Sequence, residues 1–291
     1  MELRQLRYLV ALADERHFTR AAARERIAQP ALSQQIRKLE QEVGVALFDR
    51  TTRHVSLTEA GALLTARARR VLAELDDASA ELQQLTGLMG GEVTIGLTQT
   101  PGPLDLVAVL SEFHARHPAV KLTVREALST ALADELRADS LELAFLSIVD
   151  DADRHGLETR PLASEPLVAV LPHGHRLAAR RRLRVQDLRE EELVAFPPGA
   201  TIRDAVRRAA ADAGFAPRIA FETSDVSRTR AIVAAGLGIA VLPRSDALAS
   251  GPPVVAIPLH RPTLTHDISL CWREGRRHPP AARELLEQAL A

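Results

Sequence analysis

Leu32, Ile36, Leu39 and Val43 recur at steps of four, three and four, which places them on one face of a helix that must be buried. Upstream of them, Phe18 to Ile27 reads as a shorter amphipathic helix closed by a tight break. A still earlier helix, marked by Leu3, Leu6, Val10 and Ala13 and widened by Leu9 and Leu12, can complete a three-helix core. The opposite face of the 29–43 segment is left free and shows Gln29, Ser33, Gln34 and Arg37, without an acidic side chain. Their amide, hydroxyl and guanidinium groups match the donors and acceptors of base edges and phosphates in a major groove. The sequence therefore predicts a helix pair that docks on duplex DNA.

A formal net charge of −1 excludes a globally basic surface, so a nucleic-acid footprint must be local. Up to Thr58 the chain carries Arg4, Arg7, Arg16, Arg20, Arg24, Arg26, Arg37, Lys38, Arg50 and Arg53, interspersed with acids, which makes placement matter more than total charge. At 291 residues and 46% hydrophobic content the chain is expected to form two or three packed domains. Cys271 is the lone cysteine, so neither an intrachain disulfide nor a resolving thiol pair is available. With no cleavable apolar leader and no long apolar run visible, the expectation is a cytoplasmic protein that makes no membrane contact.

Gly44 is placed to end the docking helix, and Leu47-Phe48 then plug the core ahead of Asp49 to Leu57. A two-stranded wing is predicted there, holding Arg50 and Arg53 against the phosphate backbone, where they add sequence-independent affinity. Thr58 offers an N-cap, with Glu59 in the first turn, for a proline-free helix running to about Met89. Leu57, Leu64, Val71, Ala78 and Leu85 form one heptad row and Ala68, Leu75, Leu82 and Met89 the other, a seam suited to pairing with a second helix. At ~1.5 Å per residue such a helix is roughly 45 Å long. Gly90-Gly91 is read as its end and as a hinge.

Beyond Gly91 short β-branched runs alternate with helical stretches, which predicts an α/β region. Strands are expected at 93–97, 120–126, 143–147, 167–171, 193–196, 219–223, 239–243, 254–258 and 268–272, and helices at 104–117, 130–138, 202–213, 226–235 and 281–290. Segments 161–166 and 260–266 read as crossings between two lobes, with a ligand cleft between them.

Three segments together, Phe18 to Glu40, Leu47-Phe48-Asp49-Arg50 and Leu57-Thr58-Glu59-Ala60-Gly61, resemble a LysR-type transcriptional regulator. Val93-Thr94-Ile95-Gly96, Pro172-His173-Gly174-His175 and 236–243 extend the resemblance over essentially the whole chain. It implies a multidomain fold: an all-α winged helix-turn-helix head (1–58), a linker helix for dimerisation (59–90) and an α/β two-lobed effector domain resembling periplasmic binding proteins (91–291). Lobe I would take 91–162 and 267–291, lobe II 163–266. Also implied are promoter DNA as partner, a homodimer or homotetramer with antiparallel linker helices, RNA polymerase as a possible further partner, and a small-molecule effector. On the family's pattern Gln29, Pro30, Ser33 and Arg37 fall on the recognition helix, and Arg50 and Arg53 on the wing. Ala28 departs from it where Ser or Thr is frequent, and Gln34 where a basic residue is.

Thr98, Gln99 and Thr100 follow the first α/β strand and precede a helix, where hydroxyls and unpaired N–H groups can hold a polar or anionic effector. Ser147, Thr201 and Ser224 take analogous strand-end or helix-start positions; helix capping is the alternative for each, and the better reading for Asp225. His114 and His117 have helical metal-pair spacing but no third ligand near them, and 236–238 enters a strand where a dinucleotide loop would open a helix. No nucleophile elbow or phosphate loop is present, so neither catalysis nor a cofactor is expected. Two other classes fit parts of the pattern: a solute-binding protein, against which the absent leader argues, and an α/β enzyme carrying a DNA-binding head.

Overall fold

The computed structural model describes residues 1–50, 55–84, 89–148 and 154–290. It divides into two compact units: Met1–Gly91 with the short stretches Ala138–Ser140 and His278–Pro280, and the remainder.

In the first unit α1 (Leu3–Glu15), α2 (Phe18–Arg24) and α3 (Gln29–Val43) enclose a core of Leu6, Leu9, Leu12, Ala21, Leu32, Ile36 and Leu39. Burying each of the larger aliphatic side chains contributes about 1.5–3 kcal/mol. Between α2 and α3 the chain turns at Arg26 with φ 56°, a left-handed conformation seldom taken by a non-glycine residue. Pro30 lies in the first turn of α3, whose N-cap Ala28 makes no side-chain hydrogen bond. Gly44, at φ 74°, closes the helix in the left-handed region. The wing follows as an antiparallel pair, β1 (Phe48–Arg50) with β2 (Val55–Leu57), in the register Phe48↔Leu57. Arg53 lies outside the described residues.

Thr58 starts α4 (Glu59–Gln84): its hydroxyl oxygen accepts from Gly61 N at 2.9 Å and donates to Ala46 O at 2.8 Å. The expected heptad seam needs a correction at its N-terminal end. Ala68 is 1% exposed inside the core of the head, with Leu64 packed half-buried beside it, because α4 lies directly against α1. A heptad row and a core stripe share the same three-four spacing, so the sequence pattern did not separate them. Val71, Leu75, Ala78 and Leu82 are exposed, and Leu85 lies outside the described residues. Met89 is not helical, and Leu57, expected to open one row, is the last residue of β2, ahead of the helix that starts at Glu59.

The second unit is built on a nine-stranded mixed sheet. Its strands are β3 (Gly91–Leu97), β4 (Val120–Glu126), β5 (Leu143–Leu146), β6 (Leu157–Leu171), β7 (Glu192–Ala195), β8 (Arg218–Glu222), β9 (Ile239–Pro243), β10 (Val255–Pro258) and β11 (Thr265–Arg273). They are ordered β4-β3-β5-β11-β6-β9-β7-β8, with β10 also on β6. Fully buried β5 and β9 lie inside the sheet and the exposed β8 at its edge. Helices α5 (Leu106–Arg116), α6 (Ser129–Arg137), α7 (Thr201–Asp212), α8 (Val226–Ala234), α9 (Arg244–Leu248) and α10 (Pro280–Leu290) complete it. Hydrophobic clusters form around Leu132, Leu136, Leu146 and Cys271, around Val168, Val170, Leu193 and Leu242, and, smaller, around Val185, Ala209 and Ala210.

Segment 161–166, expected as a connection, is instead the middle of one continuous strand. The first part of β6 pairs with β11 from Leu157↔Arg273 to Pro166↔Thr265, and its last part pairs with β9 and β10. Pro161 is accommodated because it faces a register shift between Ile268 and Ser269, a bulge where a ladder N–H is not required. Among the described residues no helix is long and apolar enough to cross a membrane.

Candidate functional sites

On α3, packing fixes what is left outside. With Leu32, Ile36 and Leu39 at 0% exposure, Gln29, Pro30, Gln34 and Arg37 are exposed and Ser33 is half-buried at the margin. Lys38 reaches Glu2 at 3.7 Å, whereas Arg37 has no ion pair or hydrogen bond among the described residues. Two acids of the head are engaged internally: Asp14 pairs with Arg24 and Arg69, and Glu15 with Arg20. The four-residue span between the two strands of the wing follows Arg50, whose backbone pairs with Val55.

In the second unit, strand ends and helix starts converge on a cleft of about 530 Å³ whose lining includes Ser147, Arg154, Ser164, Thr201, Thr265, His266 and Asp267. A narrow niche continues from it, lined by Thr98, Gln99, Thr100, Ser129 and Thr201. Thr201 and Ile202 border both. Five of the six predicted effector residues are thereby brought together: Thr98, Gln99, Thr100, Ser147 and Thr201. Ser224 is not among them; it is exposed and lines neither space. The reason lies in Asp225, which caps α8 by accepting from Arg228 N at 2.9 Å and leaves Ser224 in the outer turn ahead of the helix.

The cleft is held by short hydroxyl links. Ser129 Oγ donates to Thr98 Oγ1 at 3.3 Å and accepts from Ser147 N at 3.2 Å. Thr201 begins α7 after Ala200, an N-cap without a side-chain acceptor, so the first turn offers N–H groups to the cleft. His266, 2% exposed, donates from Nε2 to the carbonyl of Thr100 at 2.8 Å, with the Thr100 hydroxyl at 3.1 Å. Burial lowers the His266 pKa, opposed by the Thr100 carbonyl and the carboxylates of Glu165 and Asp267. Glu165, the strand partner of His266, accepts from both N and Oγ of Ser245 at 2.6 Å. Beside it Asp246 is raised from 3.8 to about 6, first by burial and then by the Glu165 charge, against the pull of Arg230. Sequence reasoning missed His266, Glu165 and Asp246, because their partners lie 80 to 166 residues away.

Behind Ile202, on the other side of α7, an apolar cavity of about 210 Å³ is lined by Val194, Phe196, Val206, Ile219 and Val241. His114 is exposed at the end of α5, and His117 packs on Phe113 and lies 3.9 Å from Glu284. Among the described residues no group of three or more His, Cys, Asp or Glu is placed to hold a metal ion. The 236–238 segment is a turn: Gly236 has φ 77°, and a Cβ on Gly238 would meet Glu192 O at 2.8 Å.

Comparison with known proteins gives two family matches. The model described as "Bacterial regulatory helix-turn-helix protein, lysR family" matches residues 3–62, and that described as "LysR substrate binding domain" matches residues 86–291. A "Hydrogen peroxide-inducible genes activator" of Dickeya chrysanthemi is 36% identical over 279 residues, covering 94% of this chain and 90% of that protein. Among solved structures, a full-length OxyR cysteine variant from Pseudomonas aeruginosa superposes with a TM-score of 0.72 at 28% identity, covering 99% of this chain and 93% of the other. Full-length CbnR complexed with its target DNA superposes with a TM-score of 0.67 at 27% identity, covering 100% and 99%.

Proposed function

The chain belongs to the LysR family of bacterial regulatory helix-turn-helix proteins, and we propose that it reads promoter DNA through α3 and the wing while a small molecule in the cleft tunes that grip. In this reading residues 1–58 are the DNA-binding head, 59–90 the linker and 91–291 the effector domain. Gln29, Ser33, Gln34 and Arg37 face the major groove, Pro30 shapes the entry to the helix, and Arg50 and Arg53 hold phosphates. Val71, Leu75, Ala78 and Leu82 carry the pairing of linker helices in a homodimer or homotetramer, the form that brings two heads to a twofold site. RNA polymerase is the further partner such a regulator would address.

The observation that carries the reading is the exposed, acid-free ridge of α3 opposite a fully buried face. Thr98, Gln99, Thr100, Ser147 and Thr201 take the effector, which acts by preferring one arrangement of the cleft and undergoes no turnover. A response to hydrogen peroxide, the agent in the name of the Dickeya relative, finds no reactive thiol in Cys271. The lone thiol is buried in β11 and its pKa is pushed up to about 12 by that burial, which removes the reactive thiolate.

Electrophoretic and fluorescence-anisotropy titrations of the chain on its genomic sites test the DNA assignment. Arg37→Ala should lose on the order of tenfold in affinity and relax base preference, a scale set by one base contact. Arg53→Ala should weaken all sequences evenly and lower the salt slope by about one. Unchanged affinity and selectivity in Arg37→Ala would remove α3 from the interface.

A further inference from the structure

We propose that Asp14 and Arg69, together with Gly61, are positioning residues that fix the aim of α3 relative to α4, and thereby determine which spacing of DNA half-sites the oligomer accepts. The inference rests on the DNA reading of α3. Its basis is a run of contacts from the docking helix to the linker helix that passes through the turn at 46–48.

The first contact belongs to α3 itself: Glu40 accepts from Leu47 N at 3.0 Å and from Phe48 N at 3.3 Å. The same turn is gripped from the other side by α4. Thr58 donates to Ala46 O, and Gly61 lies so close that a Cβ there would sit 1.9 Å from Leu47 O. One loop carbonyl thus separates the docking helix's carboxylate anchor from the first turn of the linker helix. Two turns further along α4, Arg69 reaches the carboxylate of Asp14 on α1, which also accepts from Arg24 of α2 at 2.8 Å. Both partners are half-shielded, with side chains 22% and 25% exposed. Beside them Ala68 is buried, small enough to let α1 and α4 approach.

These contacts hold α4 at its first turn and again eight residues later, and two separated points fix an orientation where one would leave a swivel. The head and the start of the linker helix then move as one piece. In a pair of such chains the separation of the two α3 ridges follows from this angle, and half-site spacing is a direct readout of that separation.

The test selects duplexes from a randomised pool with the full-length protein, then compares the enriched duplex with versions whose spacer is altered by one or two base pairs and with a duplex holding a single half-site. Wild type should favour the selected spacing by roughly tenfold or more, and Arg69→Ala should reduce that preference to about threefold while single half-site affinity stays within about twofold. Arg69→Lys should restore the preference. Gly61→Ala, which drives α4 away from the Leu47 carbonyl, should shift the preferred spacing at unchanged helical circular dichroism. Wild-type spacing preference in both Arg69→Ala and Gly61→Ala overturns the proposal. So does an equal loss on full and single sites, which assigns the pair to the stability of the head. Failure of the wild-type protein to enrich any duplex removes the DNA reading and this inference together.

Discussion

Asp246 shows how a single buried carboxyl couples this molecule to pH. Its pKa rises from 3.8 to about 6, so the folded state holds the proton more tightly than the unfolded chain does. The associated stability is complete below the unfolded value and is lost as pH climbs through 6, at a cost on the order of 3 kcal/mol above pH 7. Urea titrations of Asp246→Asn should therefore show a gain over wild type at pH 8 that vanishes near pH 4; a gain of the same size at both would refute the assignment. At this scale the sequence was readable where a residue's neighbours are close along the chain. Gln29, Gln34 and Arg37 follow from helical period, and the Asp225 cap from its position before α8. His266, Glu165 and Asp246 were not readable, since strand pairing and a helix start bring their partners from distant segments. Ser224 was misplaced because a strand-to-helix turn can face the cleft or the outside, and local sequence does not record which.

Among the elements, α4 serves two interfaces with one periodicity. Its first turns complete the core of the head through Ala68, and its later turns expose Val71, Leu75 and Leu82. Substitutions should separate the two roles. Ala68→Leu overfills the core and should lower the unfolding free energy by about 1–3 kcal/mol. Leu75→Glu should leave folding intact and shift sedimentation-velocity profiles toward the monomer; a profile like wild type would take Leu75 out of the interface. Most strands and helices of the second unit stand within a residue or two of where alternation and period put them, because their apolar runs are bounded by turns. β6 departs most, and β11 starts at Thr265, three residues before its expected start and inside the segment 260–266 read as a crossing. Segment 161–166 reads in sequence as a crossing between lobes, yet the chain stays extended there, one proline opposite the bulge at Ile268/Ser269 and the other opposite the first residue of β11.

For the whole molecule, the two compact units have their own cores, one around Leu9, Leu32 and Ile36 and the others around the sheet. Differential scanning calorimetry should resolve two transitions, of which an excess of selected duplex raises only that of the first unit. A single transition raised as a whole would show that the units melt as one. This order of units was legible from the change of period at Gly91, whereas the route of the chain through the sheet was not, because strand order depends on pairings across the second unit. That route has a consequence for how the protein is made. β11 lies between β5 and β6 but is synthesised after both of the strands it separates. As the nascent chain leaves the ribosome, the head and the β7–β10 portion can close early, while β5 keeps a bare apolar edge until Thr265–Arg273 emerges. A protein stalled or clipped before Thr265 would present that edge to its neighbours, which makes β11 the natural quality checkpoint of its biogenesis.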